Sequence, residues 1–280
     1  MLVEIAIGDA YGAAFEYAPP TSERPNDLSG YFQHPRHGIA PGCYADDTQM
    51  SLAVAETLLD HGVQETPLHF IEKFVQAFQR DPREGYASRF WDFLKSERDA
   101  EDFAARMTPH SAKSGAAMRA CPIGVLSGVL DVLAVAERQA RITHDTEGGV
   151  LSAQAIALAT YYFCHRLGGK SGLPAFLDAH IPGDWSVPHQ GKVGPDGMTA
   201  VRAAITALMS EDRLSALLWR CVDFGGDVDT VTAVALGAAS CCADYEEDLP
   251  AVLYDRLEDG PWGMRYLRVL DDRLMAMTRL

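Results

Sequence analysis

Apolar residues recur at helical spacing in one segment of this chain after another, and strand-like alternation over a useful length is nearly absent. Residues 49–60 (QMSLAVAETLLD) carry the pattern, which stops near Gly62, and Pro67 opens the next segment. Over 67–78, Phe70, Ile71, Phe74, Val75 and Phe78 fall on one side. The spacing predicts further helices over 125–141, 149–167, 198–209, 214–224, 228–243 and 250–257, and another that starts almost at the first residue. Alanine is frequent in these segments, which favours helix and lets helices approach closely. Gly and Pro gather instead at 19–42 and 168–197, read as long irregular connections. Connections of that length in compact domains often carry function. With 280 residues, 48% of them hydrophobic, the chain can bury a sizeable core. No internal repeat or low-complexity segment divides it. The expectation is one all-α domain spanning residues 1–280.

Charge narrows the function. Lys plus Arg number 24 and Asp plus Glu 39, a formal net charge of −15. Binding bulk nucleic acid needs clustered cations to neutralise phosphates, so that class is disfavoured, as is docking on an anionic membrane. A phosphate-bearing substrate stays possible if a metal ion supplies the positive charge. No apolar run approaches the ~20 residues of a transmembrane helix. The opening stretch lacks a basic region and carries Glu4 inside its apolar run, so it does not read as a signal peptide. Cys43, Cys121, Cys164, Cys221, Cys241 and Cys242 form no CxxC pair. They read as mostly buried, reduced thiols of a cytoplasmic protein, not as zinc ligands.

Three acidic clusters do not look like solvated surface. In Gly8-Asp9-Ala10-Tyr11-Gly12-Ala13-Ala14-Phe15-Glu16, two glycines bracket an acid in apolar sequence. Glu16 follows Asp9 by about two helical turns, so the two could share a face. Tyr44-Ala45-Asp46-Asp47-Thr48-Gln49-Met50 and Gly225-Gly226-Asp227-Val228-Asp229-Thr230 each place two acids and a Thr at a helix start. Capping a helix needs one side chain, and these clusters supply more. Carboxylates close to apolar sequence repel one another unless a cation joins them. Carboxylate and hydroxyl oxygens are the donors that Mg²⁺, Mn²⁺ and Ca²⁺ prefer.

These motifs resemble the ADP-ribosylglycohydrolase family, whose members remove ADP-ribose from arginine, from serine and from dinitrogenase reductase. The likeness runs through Gly8-Asp9 with Glu16, Asp46-Asp47-Thr48-x-Met50, Ser114-Gly115-Ala116-Ala117-Met118-Arg119 with Pro122 and Gly124, Thr143-His144, and Gly225-Gly226-Asp227-x-Asp229-Thr230. Each piece is weak alone, and their shared order makes the match specific. The resemblance implies a compact all-α fold, in agreement with the periodicity. It also implies two Mg²⁺ ions, replaceable by Mn²⁺, held by Asp46, Asp47, Asp227, Asp229 and Thr230. Glu16 matches the acid tied to catalysis beside the metals, and Asp47 is the second candidate catalytic carboxylate. The ions would hold ribose hydroxyls and position a water for hydrolysis through an oxocarbenium-like state. Ser114, Gly115, Ala116 and Met118 correspond to a loop contacting pyrophosphate and ribose, and His144 to a position near the phosphates. The implied partner is an ADP-ribosylated protein or ADP-ribose itself, with nucleic acid only as a modified substrate and no membrane.

The sequence departs from the family pattern in places. Ala45 stands where the family usually has Thr or Ser, so one hydroxyl ligand is missing: either water replaces it or one of the two metal sites is weakened. Lys113-Ser114-Gly115 stands for Gly-Asn-Gly. The dinitrogenase-reductase enzymes carry a further acid after a mid-chain Gly, whereas Gly85 here is followed by Tyr86. Two rival readings remain. Asp227-Val228-Asp229-Thr230-Val231 matches the nucleophile motif of haloacid-dehalogenase-type phosphatases, although that motif should follow a strand. An ADP-ribose-binding relative without turnover is the other, against which stands the retention of Glu16 with all four paired aspartates. The acceptor is not legible. Specificity is expected in 17–43 and 168–197.

Overall fold

The computed structural model describes residues 1–96 and 99–279. Among them it is helical, without strands. The helices are α1 (Leu2–Gly12), α2 (Asp46–His61), α3 (Pro67–Arg80), α4 (Ser88–Ser96), α5 (Ala100–Arg106), α6 (Val129–Arg141), α7 (Glu147–Cys164), α8 (Leu173–His180), α9 (Gly197–Ser210), α10 (Leu214–Asp223), α11 (Val228–Ala239), α12 (Ala251–Asp255) and α13 (Met264–Ala276). Their order agrees with the all-α expectation.

Helices α1, α7 and α11 are apolar almost all round and form the centre of the core. Around them pack α2, α6, α9, α10 and α13. The outer helices bury one side only, as in α3, where Phe70, Ile71, Phe74, Val75 and Phe78 face inward.

The pairing of α1 with α11 sets up everything downstream. A Cβ on Gly8 would lie 2.5 Å from the Thr232 carbonyl oxygen. One on Gly12 would lie 2.1 Å from the Thr232 hydroxyl and 2.7 Å from the Asp229 Cα. The two glycines that bracket Asp9 thus let one backbone lie directly on the other. The Thr232 hydroxyl seals the contact by donating to the Gly8 carbonyl at 2.8 Å.

Several boundaries differ from the periodicity. The helix expected over 125–141 starts only at Val129, as α6: Cys121–Val125 is a 3₁₀ turn opened by Pro122, and the backbone then extends at Leu126. The connection at 168–197 contains α8, too short to show a period but anchored by buried Leu173 and Leu177. Helices α4, α5 and α13 were not expected, although Leu267, Leu270 and Leu274 gave α13 a buried 3–4 stripe. All six cysteines are free, three of them buried. No helix among the described residues is long and apolar enough to cross a membrane.

Candidate metal and substrate site

Three chain segments meet where α2 and α11 begin. Asp46 and Asp47 occupy the first turn of α2, Asp227 and Asp229 flank the start of α11, and Glu16 ends the short turn that follows α1. One carboxylate oxygen each from Glu16, Asp227 and Asp229 fall within 4.8 Å of one another. The Thr230 hydroxyl hydrogen-bonds to Asp47 and so joins the two helix starts. Burial drives the carboxyls of Asp46, Asp47 and Asp229 well above the usual range, and repulsion from the neighbouring acids adds to it. Burial and the Glu16 charge likewise push Asp227 up to about 7.

Local backbone explains why α11 starts there. Gly225 and Gly226 both have positive φ, and a Cβ on Gly226 would fall 2.0 Å from the Val193 carbonyl oxygen. The Val193 amide donates to Gly225, and the Asp227 amide donates back to Val193. Tyr17, itself at positive φ, donates its amide to the Gly226 carbonyl at 2.7 Å. Both long connections therefore clamp the turn that presents Asp227.

Asp9 does not share a face with Glu16. It is fully buried, and its Oδ2 accepts the amides of Ala45 and Thr48, both at 2.9 Å, and the Thr48 hydroxyl at 2.6 Å. Asp9, on α1, thus caps the neighbouring α2, and Thr48 is committed to it. At Ala45 the backbone joins this network while the side chain has no hydroxyl to offer. Gln49, unassigned from sequence, accepts from the Tyr86 hydroxyl at 2.7 Å and donates to the Asp81 carbonyl at 2.6 Å. This holds the 81–86 turn so that a Cβ on Gly85 would meet Asp46 Oδ1 at 2.3 Å. The turn covers Asp46 with backbone, and the Tyr86 side chain is buried in the core.

Glu16 has partners that sequence reading missed. Its Oε2 lies 2.9 Å from His34 Nε2 and its Oε1 lies 2.8 Å from the Arg36 guanidinium. Burial would raise this carboxyl, but the His34 and Arg36 hydrogen bonds outweigh it and hold it below its ordinary value. Both partners come from the Gly/Pro-rich connection, where periodicity offers no signal.

The Ser114–Ala116 turn is pinned to the same scaffold. The Ser114 amide donates to the Pro195 carbonyl at 3.1 Å and is engaged there. Ala116 and Met118 are buried; the Ala116 carbonyl accepts from Gln139, and the Met118 carbonyl from Ser51. Their side chains belong to the core. His144 lies against the turn, its ring 2.8 Å from where a Cβ of Gly115 would be. The Thr143 hydroxyl accepts from buried Arg119 at 2.9 Å and lies 2.6 Å from His144 Nδ1, its one acceptor among the described contacts. It therefore donates to Nδ1, which places the His144 ring proton on Nε2, beside Gly115. Burial, reinforced by Arg119 and Lys113, pulls His144 down to about 3. The Lys113 charge is felt at both His144 and Asp227.

The acid cluster fits a divalent ion. Asp47 Oδ1 and Asp229 Oδ1 are buried with no hydrogen-bond partner. Unpaired buried carboxylate oxygens are costly, and a hard cation is what such donors accept. The phosphatase reading is not supported: Asp227-x-Asp229 follows a glycine turn and opens a helix, and no strand precedes it among the described residues.

Comparison with known proteins agrees with this architecture. The family model described as ADP-ribosylglycohydrolase matches residues 1–280. An ADP-ribosylarginine hydrolase Tri1 from Serratia proteamaculans (strain 568) is 24% identical over 91% of this chain and 74% of its own length. An ADP-ribosyl-[dinitrogen reductase] glycohydrolase from Rhodospirillum rubrum is 26% identical over 99% of this chain and 94% of its own. A solved structure titled ADP-ribosylglycohydrolase-related protein complex superposes with a TM-score of 0.73 at 23% identity, over 99% of this chain and 95% of that one.

Proposed function

Since the chain belongs to the ADP-ribosylglycohydrolase family, we propose that it is a Mg²⁺-dependent hydrolase that cleaves the glycosidic bond between ADP-ribose and a modified acceptor, most simply a protein side chain, and releases ADP-ribose. The observation that carries the reading is the pair of unpartnered buried oxygens, Asp47 Oδ1 and Asp229 Oδ1, among acids that repel one another: Glu16, Asp227 and Asp229 converge, and Asp46 and Asp47 feel their charges. Asp46, Asp47, Asp227, Asp229 and Thr230 are the residues that would hold the metal. Bound there, Mg²⁺, or Mn²⁺ in its place, supplies a grip on ribose hydroxyls and an oriented water.

The chain's own groups do the rest. Glu16, at the edge of the cluster, accepts the proton of the attacking water, and Asp47 keeps its orientation through Thr230. The His144 Nε2–H and the turn at Ser114 and Gly115 face the pyrophosphate, with the Lys113 charge adding attraction. Residues 1–280 then form one catalytic domain, and the free cysteines suit a cytoplasmic setting.

The test is release of free ADP-ribose from ADP-ribosylated arginine, serine and nucleic-acid substrates, with Mg²⁺ and after its removal. Release that needs Mg²⁺ is expected. Intact Mg²⁺ and ADP-ribose binding without turnover on any substrate would overturn hydrolysis in favour of a binding role.

A further inference from the structure

His34 is buried, its side chain 2% exposed, and it meets Glu16 from the connection between α1 and α2. Its two ring nitrogens have different surroundings. Nδ1 accepts the backbone amides of Arg36 and His37, both at 3.0 Å. A nitrogen that accepts two N–H groups carries no hydrogen, so the ring proton sits on Nε2. Nε2–H is therefore the donor in the 2.9 Å contact with Glu16 Oε2. The backbone turn at 34–37 thus dictates the tautomer, and the tautomer dictates that Glu16 Oε2 receives a hydrogen bond.

The same reasoning removes an alternative. Ligand atoms of Glu16, His34 and His37 also come within 4.8 Å of one another, as a transition-metal site would require. A histidine ligand needs a free lone pair on the metal-facing nitrogen while its other nitrogen donates outward. His34 has the opposite arrangement, so this trio is a positioning cluster and not a second metal centre.

The two Glu16 oxygens are held unequally. Oε2 is gripped by a buried ring fixed at both ends. Oε1 is held by Arg36, whose side chain is 51% exposed and rests over the Tyr17 ring at 5.0 Å. An exposed ion pair contributes little and separates readily. Resting on the hydrolase reading above, we infer that His34 is the positioning residue of Glu16: it fixes Oε2 and leaves Oε1, freed when Arg36 moves aside, as the oxygen that takes the proton from water.

The experiment compares His34→Ala, His34→Gln and Arg36→Ala with the wild type. A glutamine amide can donate to Glu16 and accept from the turn. His34→Ala should lower kcat by about 10–100-fold, the range for losing a partner that orients a reacting group, with KM and Mg²⁺ affinity by calorimetry within about twofold. His34→Gln should recover most of kcat, and Arg36→Ala, which frees Oε1 but leaves Oε2 held, should lower kcat less than His34→Ala does. Side-chain ¹⁵N spectra should show the Nε2–H tautomer at His34. A His34→Ala variant with unchanged kcat, or a spectrum showing Nδ1–H, would overturn the inference. So would His34→Gln failing to recover activity while melting like the wild type. A wild type that releases no ADP-ribose sinks the hydrolase reading instead, and the ¹⁵N arm then still decides whether His34 donates to Glu16.

Discussion

Asp9 Oδ2 accepts the Thr48 hydroxyl at 2.6 Å and, with the Thr48 and Ala45 amides, closes the N-terminus of α2 from the neighbouring helix α1. Both residues are fully buried. The first acid of the N-terminal motif therefore serves the paired acids of the second by setting where their helix starts. Desolvation pushes its carboxyl up to about 6, against the pull of these same hydrogen bonds.

Replacing Asp9 by Ala should cost about 1–3 kcal/mol, because three buried donors lose their acceptor at once. The start of α2 would fray, and Asp46 and Asp47 with it. Urea denaturation should show the loss, and calorimetry should show weakened Mg²⁺ binding. Full stability in this variant would mean that the cap does not hold α2.

Asp229→Asn should act in the opposite direction on the metal-free protein. It removes one of several mutually repelling buried charges, so the apo form should gain about 1–2 kcal/mol. The upward shift in Tm that Mg²⁺ gives the wild type should vanish, and turnover with it. Melting curves with and without Mg²⁺ read both effects; a retained Mg²⁺-induced shift would remove Asp229 from the ligand set.

His144 sets a pH signature. Its folded value, about 3, lies below the ordinary histidine value of 6.5. As pH falls below the ordinary value, the unfolded chain takes up a proton that the folded chain refuses. The stability this residue contributes is therefore complete above about pH 6.5 and drains away toward about pH 3. At pH 5 the loss is about 2 kcal/mol. Chemical denaturation of wild type and His144→Gln at pH 5 and pH 7.5 should converge by that amount at the lower pH. Parallel curves at the two pH values would refute it.

Gly12→Ala places a methyl group where the Thr232 hydroxyl and the Asp229 backbone already stand. Separating α1 from α11 should cost about 1–3 kcal/mol as overpacking and should move Asp229 relative to Asp47. A lower Tm together with weaker Mg²⁺ binding is expected. A variant that melts earlier but binds Mg²⁺ as before would show that the α1–α11 contact serves only the core.

Much of the arrangement was legible because it rests on local pattern. Residues 67–78 read as a helix because five large apolar side chains fall on one stripe, and that stripe is buried. The paired acids with Thr at two helix starts stood out because no cap needs so many. Other residues left no local trace. His34 and Arg36 lie in a stretch without periodicity, and their relation to Glu16 is a meeting of side chains 18 and 20 positions away. Gln49 and Gly85 matter through a turn folding back onto Asp46, a contact that neither residue announces. Asp9 was read as a companion of Glu16 by counting helical turns, but α1 ends at Gly12 and the chain then turns.

Taken alone, the sequence determined the all-α class, the family likeness and the set of acids with the right donors for a hard cation. Those follow from spacing and side-chain chemistry, which are properties of the chain itself. Which acid caps a helix, which carboxylate oxygens remain unpaired and which nitrogen of His34 carries its proton were decided only by tertiary structure. Each depends on the groups that arrive from distant segments once the glycine faces of α1 lie against α11, and on the water that burial there removes.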